Sequence, residues 1–198
     1  MNKYKYILLS ILVIILLVIL LHIYNYVHQS VDEYQILQQD IDKVDGSNLF
    51  KEPFPFVMTY IENDTLHFNI QRYLIYSPIS IKHTYDSKIL GNFEKDKFMT
   101  HYYPFFMMKV DKDIDLTIIS SKYANNIKDG ELNNVDDTQQ VLIKLHPYNI
   151  VYIPRFSYWK LEGDSNTKVE IYHSHMPISI ILSKVYKFVN KNNNNYVY

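Results

Sequence analysis

The stretch Leu145-His146-Pro147-Tyr148-Asn149-Ile150-Val151-Tyr152-Ile153-Pro154-Arg155-Phe156-Ser157-Tyr158-Trp159 governs the reading of the fold. Its centre, residues 150–153, is a short apolar run rich in β-branched side chains. A tight turn signal with Pro147 and Asn149 precedes it. Pro154 closes it, because proline has no amide hydrogen with which to extend a ladder. Aromatic residues resume at Phe156, Tyr158 and Trp159. A run this short, bounded by turn residues, reads as a strand rather than a helix. Strands are therefore expected at 150–153 and on either side of it, at 139–145 and 157–161.

The same texture continues outward. Short runs of Ile, Val, Tyr, Phe and Thr, separated by Asn, Asp, Gly and Pro, predict further strands at 56–61, 65–70, 73–81, 105–110, 115–119, 168–173 and 178–182. Two hairpins are marked. Glu62-Asn63-Asp64 joins the first pair, and residues 162–167, with Gly163-Asp164-Ser165-Asn166, join 158–161 to 169–172. Ten short strands across residues 49–189 predict a mainly β domain built as a sandwich, jelly roll or barrel. Segments 87–98 and 125–140 are expected to hold short helices or loops, and 179–189 reads equally well as a closing helix. The Asn-rich residues 190–198 read as a disordered tail.

Ahead of this domain the pattern changes twice. In residues 27–44, Val27, Tyr34, Leu37, Ile41 and Val44 recur at helical steps with glutamines between them, which predicts a short stalk helix. Asp45-Gly46-Ser47-Asn48 ends it, so residues 28–48 form a stalk and linker. Before the stalk, residues 7–21 are continuously apolar except for Ser10, and softer residues extend the run to Val27. Taken as residues 6–27, the run makes a helix that crosses a hydrocarbon core of about 30 Å. Tyr4 and Tyr6 flank one end and Tyr24 and Tyr26 the other, where amphipathic rings sit at the headgroups. The run is longer than a signal-peptide core, and no Ala or Gly marks a cleavage site before Gly46.

Lys3 and Lys5 precede the apolar run, while Asp32, Glu33 and Asp40 come after it. The positive-inside rule then keeps residues 1–5 in the cytosol as a stub and sends the C-terminal domain to the lumenal, extracellular or virion-facing side. A sequon at Asn63-Asp64-Thr65 makes Asn63 a glycosylation candidate on that side.

Composition excludes more than it assigns. With 20 basic and 21 acidic side chains the net charge is −1, which gives no electrostatic footprint for nucleic acid. The absence of cysteine removes disulfides, thiolate metal sites and cysteine nucleophiles. Ile, Tyr, Lys and Asn are heavily used while Arg occurs twice and Ala once, a skew that matches AT-rich coding and not any demand of a fold.

The turn, apolar strand, Ile153-Pro154 and aromatic pair Tyr158-Trp159 resemble the corresponding segment of cupin-like domains of the JmjC-related type. With the anchor and the residue usage, the chain is similar to membrane-anchored cupin-like proteins of large DNA viruses. The resemblance is firm over residues 145–159 and looser over 139–182. It implies a cupin-like or jelly-roll domain with a non-catalytic binding or structural role at a viral or cellular membrane, through a protein or glycan partner. Metal-dependent members carry an iron-binding histidine after the aromatics, where this chain has Lys160.

The alternative implied by the resemblance is an Fe(II)/2-oxoglutarate-dependent hydroxylase. Such a centre needs two histidines and a carboxylate converging with open positions. No His-x-Asp or His-x-Glu is present, and His83 and Asp86 are one residue out of phase for one strand face. His173 and His175 share a face on a strand and are the metal candidates, with Arg72 or Arg155 as the available arginine anchors for the cosubstrate. His67, His101 and His146 lack any partner pattern and read as structural or surface residues. No Gly-x-Ser-x-Gly elbow or phosphate-binding Gly-x-Gly occurs, so no catalytic residue is assigned. The dense patches at residues 54–56 and 102–108 read as core and rim of the β domain, and the mixed charges at 109–115 as a solvated turn.

Overall fold

The computed structural model describes residues 3–29, 31–40, 53–59, 80–86, 96–101, 103, 106–164 and 166–174. It opens with helix α1 (Lys3–Gln29). The most apolar window of α1, Tyr4–Leu21, has no residue buried against protein, and it is long and apolar enough to span a membrane. Inside α1, the Ser10 hydroxyl donates to the Tyr6 carbonyl at 2.9 Å, so the one polar side chain of the run is satisfied within the helix itself.

The expected stalk helix does not form over residues 31–40. Residues 31–36 are irregular, with a bend at 32–33, and 37–40 form strand β1 (Leu37–Asp40), which pairs in parallel with β2 (Phe56–Thr59). The physical reason is tertiary. Helical spacing across so few turns is a weak preference, and short helices are marginal alone. Here the backbone finds a strand edge at β2, and Tyr34 finds a slot in the domain core, 6% exposed. The rest of the segment expected as stalk and linker lies outside the described residues.

The domain itself is mainly β. Its further strands are β3 (Ser80–Asp86), β4 (Met99–Thr100), β5 (Phe106–Val110), β6 (Ile114–Ile119), β7 (Ile127–Lys128), β8 (Glu131–Leu132), β9 (Gln140–Leu145), β10 (Asn149–Tyr152), β11 (Tyr158–Glu162) and β12 (Lys168–Ser174). One sheet has the order β1-β2-β10-β5-β12-β3 and a second the order β4-β11-β6-β9, while β7 and β8 form a separate hairpin. Four antiparallel pairings nest inside one another: β3 with β12, β4 with β11, β5 with β10, and β6 with β9. The chain thus behaves as one long ribbon folded over on itself. Apart from β6 to β9, each step along the ribbon passes from one sheet to the other.

Side-chain alternation fills the space between the sheets. Phe106, Met108 and Val110 of β5 and Val169 and Ile171 of β12 pack with Ile114, Leu116 and Ile118 of β6 and Trp159 and Leu161 of β11 in one buried cluster. Strand β9 shows the rule at the sheet edge, with Val141, Ile143 and Leu145 buried and Gln140, Leu142 and Lys144 exposed. In the first sheet, Met58, Met107, Ile150 and Tyr152 are fully buried as well, so its central strands are covered on both faces. A second, smaller cluster of Phe98, Ile119, Ile127 and Tyr158 lies under a 3-10 segment (Ser121–Asn126) and the β7–β8 hairpin. That hairpin turns on Asp129 and Gly130, both with positive φ, as a two-residue loop of this hand requires.

Seven of the expected strands are present, within one residue of their expected limits wherever those limits are described, and the described part of 73–81, residues 80–81, begins β3. The strands expected at 65–70 and 178–182, the hairpin at 62–64, the sequon at Asn63 and the tail at 190–198 lie outside the described residues. The marked turn at 162–167 is a correction. It joins β11 to β12, but these strands lie in different sheets and do not pair. Local composition sets where the chain turns. Which strands pair is decided by closing two sheets over one core.

Candidate functional site

The interior of the sandwich narrows to a polar and aromatic cluster beneath the link between β10 and β11. The link begins at Ile153, whose amide donates to the Phe106 carbonyl at 3.1 Å, and tightens through a bond from the Ser157 amide to the Pro154 carbonyl at 3.2 Å. Within it Phe156 has a φ of 68°, a left-handed conformation that bulky residues rarely adopt. Two bonds hold it there. The Phe156 amide donates to the His101 carbonyl at 3.1 Å, and the Thr100 hydroxyl donates to the Phe156 carbonyl at 3.3 Å. The same turn carries Arg155, only 8% exposed, with its guanidinium carbon 4.7 Å from the centre of the Phe156 ring.

Below the turn, His101 comes directly after β4 and His173 sits on β12, both with no exposed surface. The His101 ring stacks on Phe106 with centroids 4.2 Å apart and planes 15° from parallel. His173 stacks on Tyr103 at 4.0 Å. Tyr103 and Phe106 lie 6.1 Å apart and nearly parallel, and Trp159 closes the group at 5.7 Å from Phe106. Burial, the nearby Arg155 charge and His173 push the His101 pKa down to about 3, partly offset by backbone groups of Ile153 and Tyr103. At neutral pH the His101 imidazole is therefore uncharged inside a stack of aromatic rings.

The candidate metal residues are only half placed by this geometry. His173 faces the sandwich interior, while His175 lies outside the described residues, as do Arg72 and His67. Among the described residues no three His, Asp or Glu side chains converge, and no Asp or Glu is buried. Among the described residues, aromatic ring faces and not carboxylates pack against the imidazoles of His101 and His173. Lys160 stands on the opposite face of β11 from Trp159. Its ammonium lies 5.0 Å over the Phe98 ring and is ion-paired with Glu162. The side chain at position 160 points away from His101 and His173, so strand alternation, and not only the loss of a histidine, takes that position out of the interior.

His146 is a surface residue, with Nδ1 3.0 Å from an Asp113 carboxylate oxygen. Phe54 and Phe56, and Tyr103 with residues 106–108, belong to the core as expected. In the turn at 109–115, Lys112 pairs with Asp164 at 3.2 Å. Sequence reasoning placed His101 among structural or surface histidines and Tyr34 on a stalk helix, and did not bring either to this cluster or to the domain core, where both are buried. For His101 the usable signal is its phase, two residues from both Met99 and Tyr103 on one strand direction. Tyr34 gives no local signal, because its partners lie more than a hundred residues away. No family model matches the chain, and no curated protein is similar to it.

Proposed function

We propose that the chain is a single-pass membrane protein whose β domain is a cupin-like jelly roll with a binding or structural role, and not a catalytic one, at a viral or cellular membrane. The nested pairing of β3 with β12, β4 with β11, β5 with β10 and β6 with β9 supports the jelly-roll reading, since a rolled antiparallel ribbon pairs in this way. The apolar, unburied α1 supports insertion of residues 6–27 in a bilayer. Lys3 and Lys5 ahead of it support a cytosolic N-terminus, with a protein or glycan partner met on the other side.

The observation that carries the non-catalytic reading is the filling of the interior. Phe106, Tyr103 and Trp159 occupy the space around His101 and His173 that an enzyme of this fold would keep for cofactor and substrate. The test uses the full chain in detergent micelles, with metal content by elemental mass spectrometry and titration of Fe(II) with and without 2-oxoglutarate. The expected result is a folded protein with no stoichiometric iron and no response to the cosubstrate. Stoichiometric iron, weakened in His101→Ala or His173→Ala variants that keep their near-UV circular dichroism, makes the chain a hydroxylase instead. Orientation is read separately by the mobility shift of the glycosylated chain and its loss in Asn63→Gln.

A further inference from the structure

The junction between helix and domain is short and stitched. Ser30 is the one residue between the last residue of α1, Gln29, and Val31, whose carbonyl accepts a 2.6 Å hydrogen bond from the Ser120 hydroxyl. Asp32 is ion-paired with Lys122, and its carbonyl accepts from the Tyr123 hydroxyl at 3.0 Å. Two residues later the Tyr34 amide donates to Gln139 at 2.9 Å, and its phenol shares a buried 2.6 Å hydrogen bond with Ser157. Each of these partners lies at one end of the sandwich, where β6 ends, β9 begins and β10 passes to β11. At the other end are the β5–β6, β9–β10 and β11–β12 turns, tied together by the Asp113–His146 and Lys112–Asp164 contacts.

We infer that the β domain rests on the lipid headgroups through the end carrying the 3-10 segment Ser121–Asn126, with the opposite turns facing away from the bilayer. This rests on the reading of α1 as a membrane span. With the span ending at Val27, two further helical residues rise about 3 Å, and two peptide steps reach at most about 7.6 Å more. Val31 then lies within roughly 11 Å of the hydrocarbon edge, inside a headgroup layer about 5–7 Å deep or within a few ångströms of its outer limit. Ser120, Lys122 and Tyr123 are bonded to Val31 and Asp32, so the segment they begin is held at the same level. It offers suitable chemistry there: an exposed lysine, a half-buried tyrosine and the exposed amide of Asn125. The six residues of β6 separate the two ends by about 17 Å.

The chain has no cysteine, so a single introduced thiol is a unique labelling site. The full chain is reconstituted in phosphatidylcholine vesicles as Asn125→Cys or Asn166→Cys, each carrying a fluorophore at an exposed position, with a nitroxide quencher on the lipid headgroup. The Asn125 label is expected to lose most of its emission and the Asn166 label to keep it. A ten-residue Gly-Ser insertion after Ser30 is expected to restore the emission at Asn125. Equal quenching at both sites, stronger quenching at Asn166, or no effect of the insertion overturns the inference while α1 still floats with alkaline-washed vesicles. Failure to float removes the membrane span itself, and the inference with it.

Discussion

The two ends of the sandwich are built differently. At the end that receives the segment after α1, Tyr34 is bonded to Ser157 and to Gln139 across more than a hundred residues of sequence, the first of these bonds fully buried, and the neutral, buried His101 lies near the charge of Arg155. At the far end the turns are held by charged pairs whose side chains are about half exposed, such as Lys112 with Asp164 and His146 with Asp113. Water screens the second kind of contact and leaves little net energy in it. The first kind loses both packing and hydrogen bonding when broken, because nothing replaces a buried partner. A helix bonded into the buried end moves with the whole domain. One attached at the exposed turns would not.

Denaturation of the full chain in micelles measures this contrast, and the largest effect is expected at Tyr34. Replacing its ring in Tyr34→Ala empties a core slot and is expected to cost about 3 kcal/mol. A loss below that of an ordinary surface substitution would mean that the segment after α1 is not part of the core.

Acid comes next. The folded state holds His101 near a pKa of about 3 against an ordinary 6.5, so the unfolded chain binds the proton first and stability falls as pH drops from 6.5 toward 3. Between pH 6.5 and 5 the contribution is roughly 2 kcal/mol at about 1.4 per unit. The slope is expected to become shallower in His101→Gln, and an unchanged slope would remove His101 as its source.

Tyr34→Phe keeps the ring and removes the phenol, leaving the buried Ser157 hydroxyl without it, at an expected cost of about 1–2 kcal/mol. The same variant carries an alkaline signature. Burial raises the Tyr34 pKa from 10.0 to about 12, so its contribution is complete below pH 10 and lost as pH climbs toward 12. That limb is expected to be absent in Tyr34→Phe. The smallest effect belongs to the far end, where Lys112→Ala is expected to change stability by less than about 0.5 kcal/mol. A cost as large as that of Tyr34→Phe would erase the difference between the two ends.

Much of the fold was legible in the residues. The 139–161 region reads as strand, turn, strand, turn, strand, and β9, β10 and β11 match it closely. The site was less legible. His173 was reached through its spacing to His175, whereas its neighbour in the folded domain is Tyr103, from a segment 70 residues earlier and with no motif to announce it. The stalk reading failed at Tyr34 for a related reason. Helical spacing is a local property, and the slot that Tyr34 fills is made by residues 120, 139 and 157.

By itself the sequence determined the apolar helix, the β texture and the turn positions, because these depend on what a short piece of chain can do with its own backbone and with solvent or lipid. Tertiary structure alone decided that β11 and β12 join different sheets, that Lys160 faces outward while Trp159 faces in, and that the segment after α1 is bonded into the domain. Those outcomes depend on which distant surfaces are buried together. A strand exposes the same donors and acceptors to any partner, and only closure of the core selects among them.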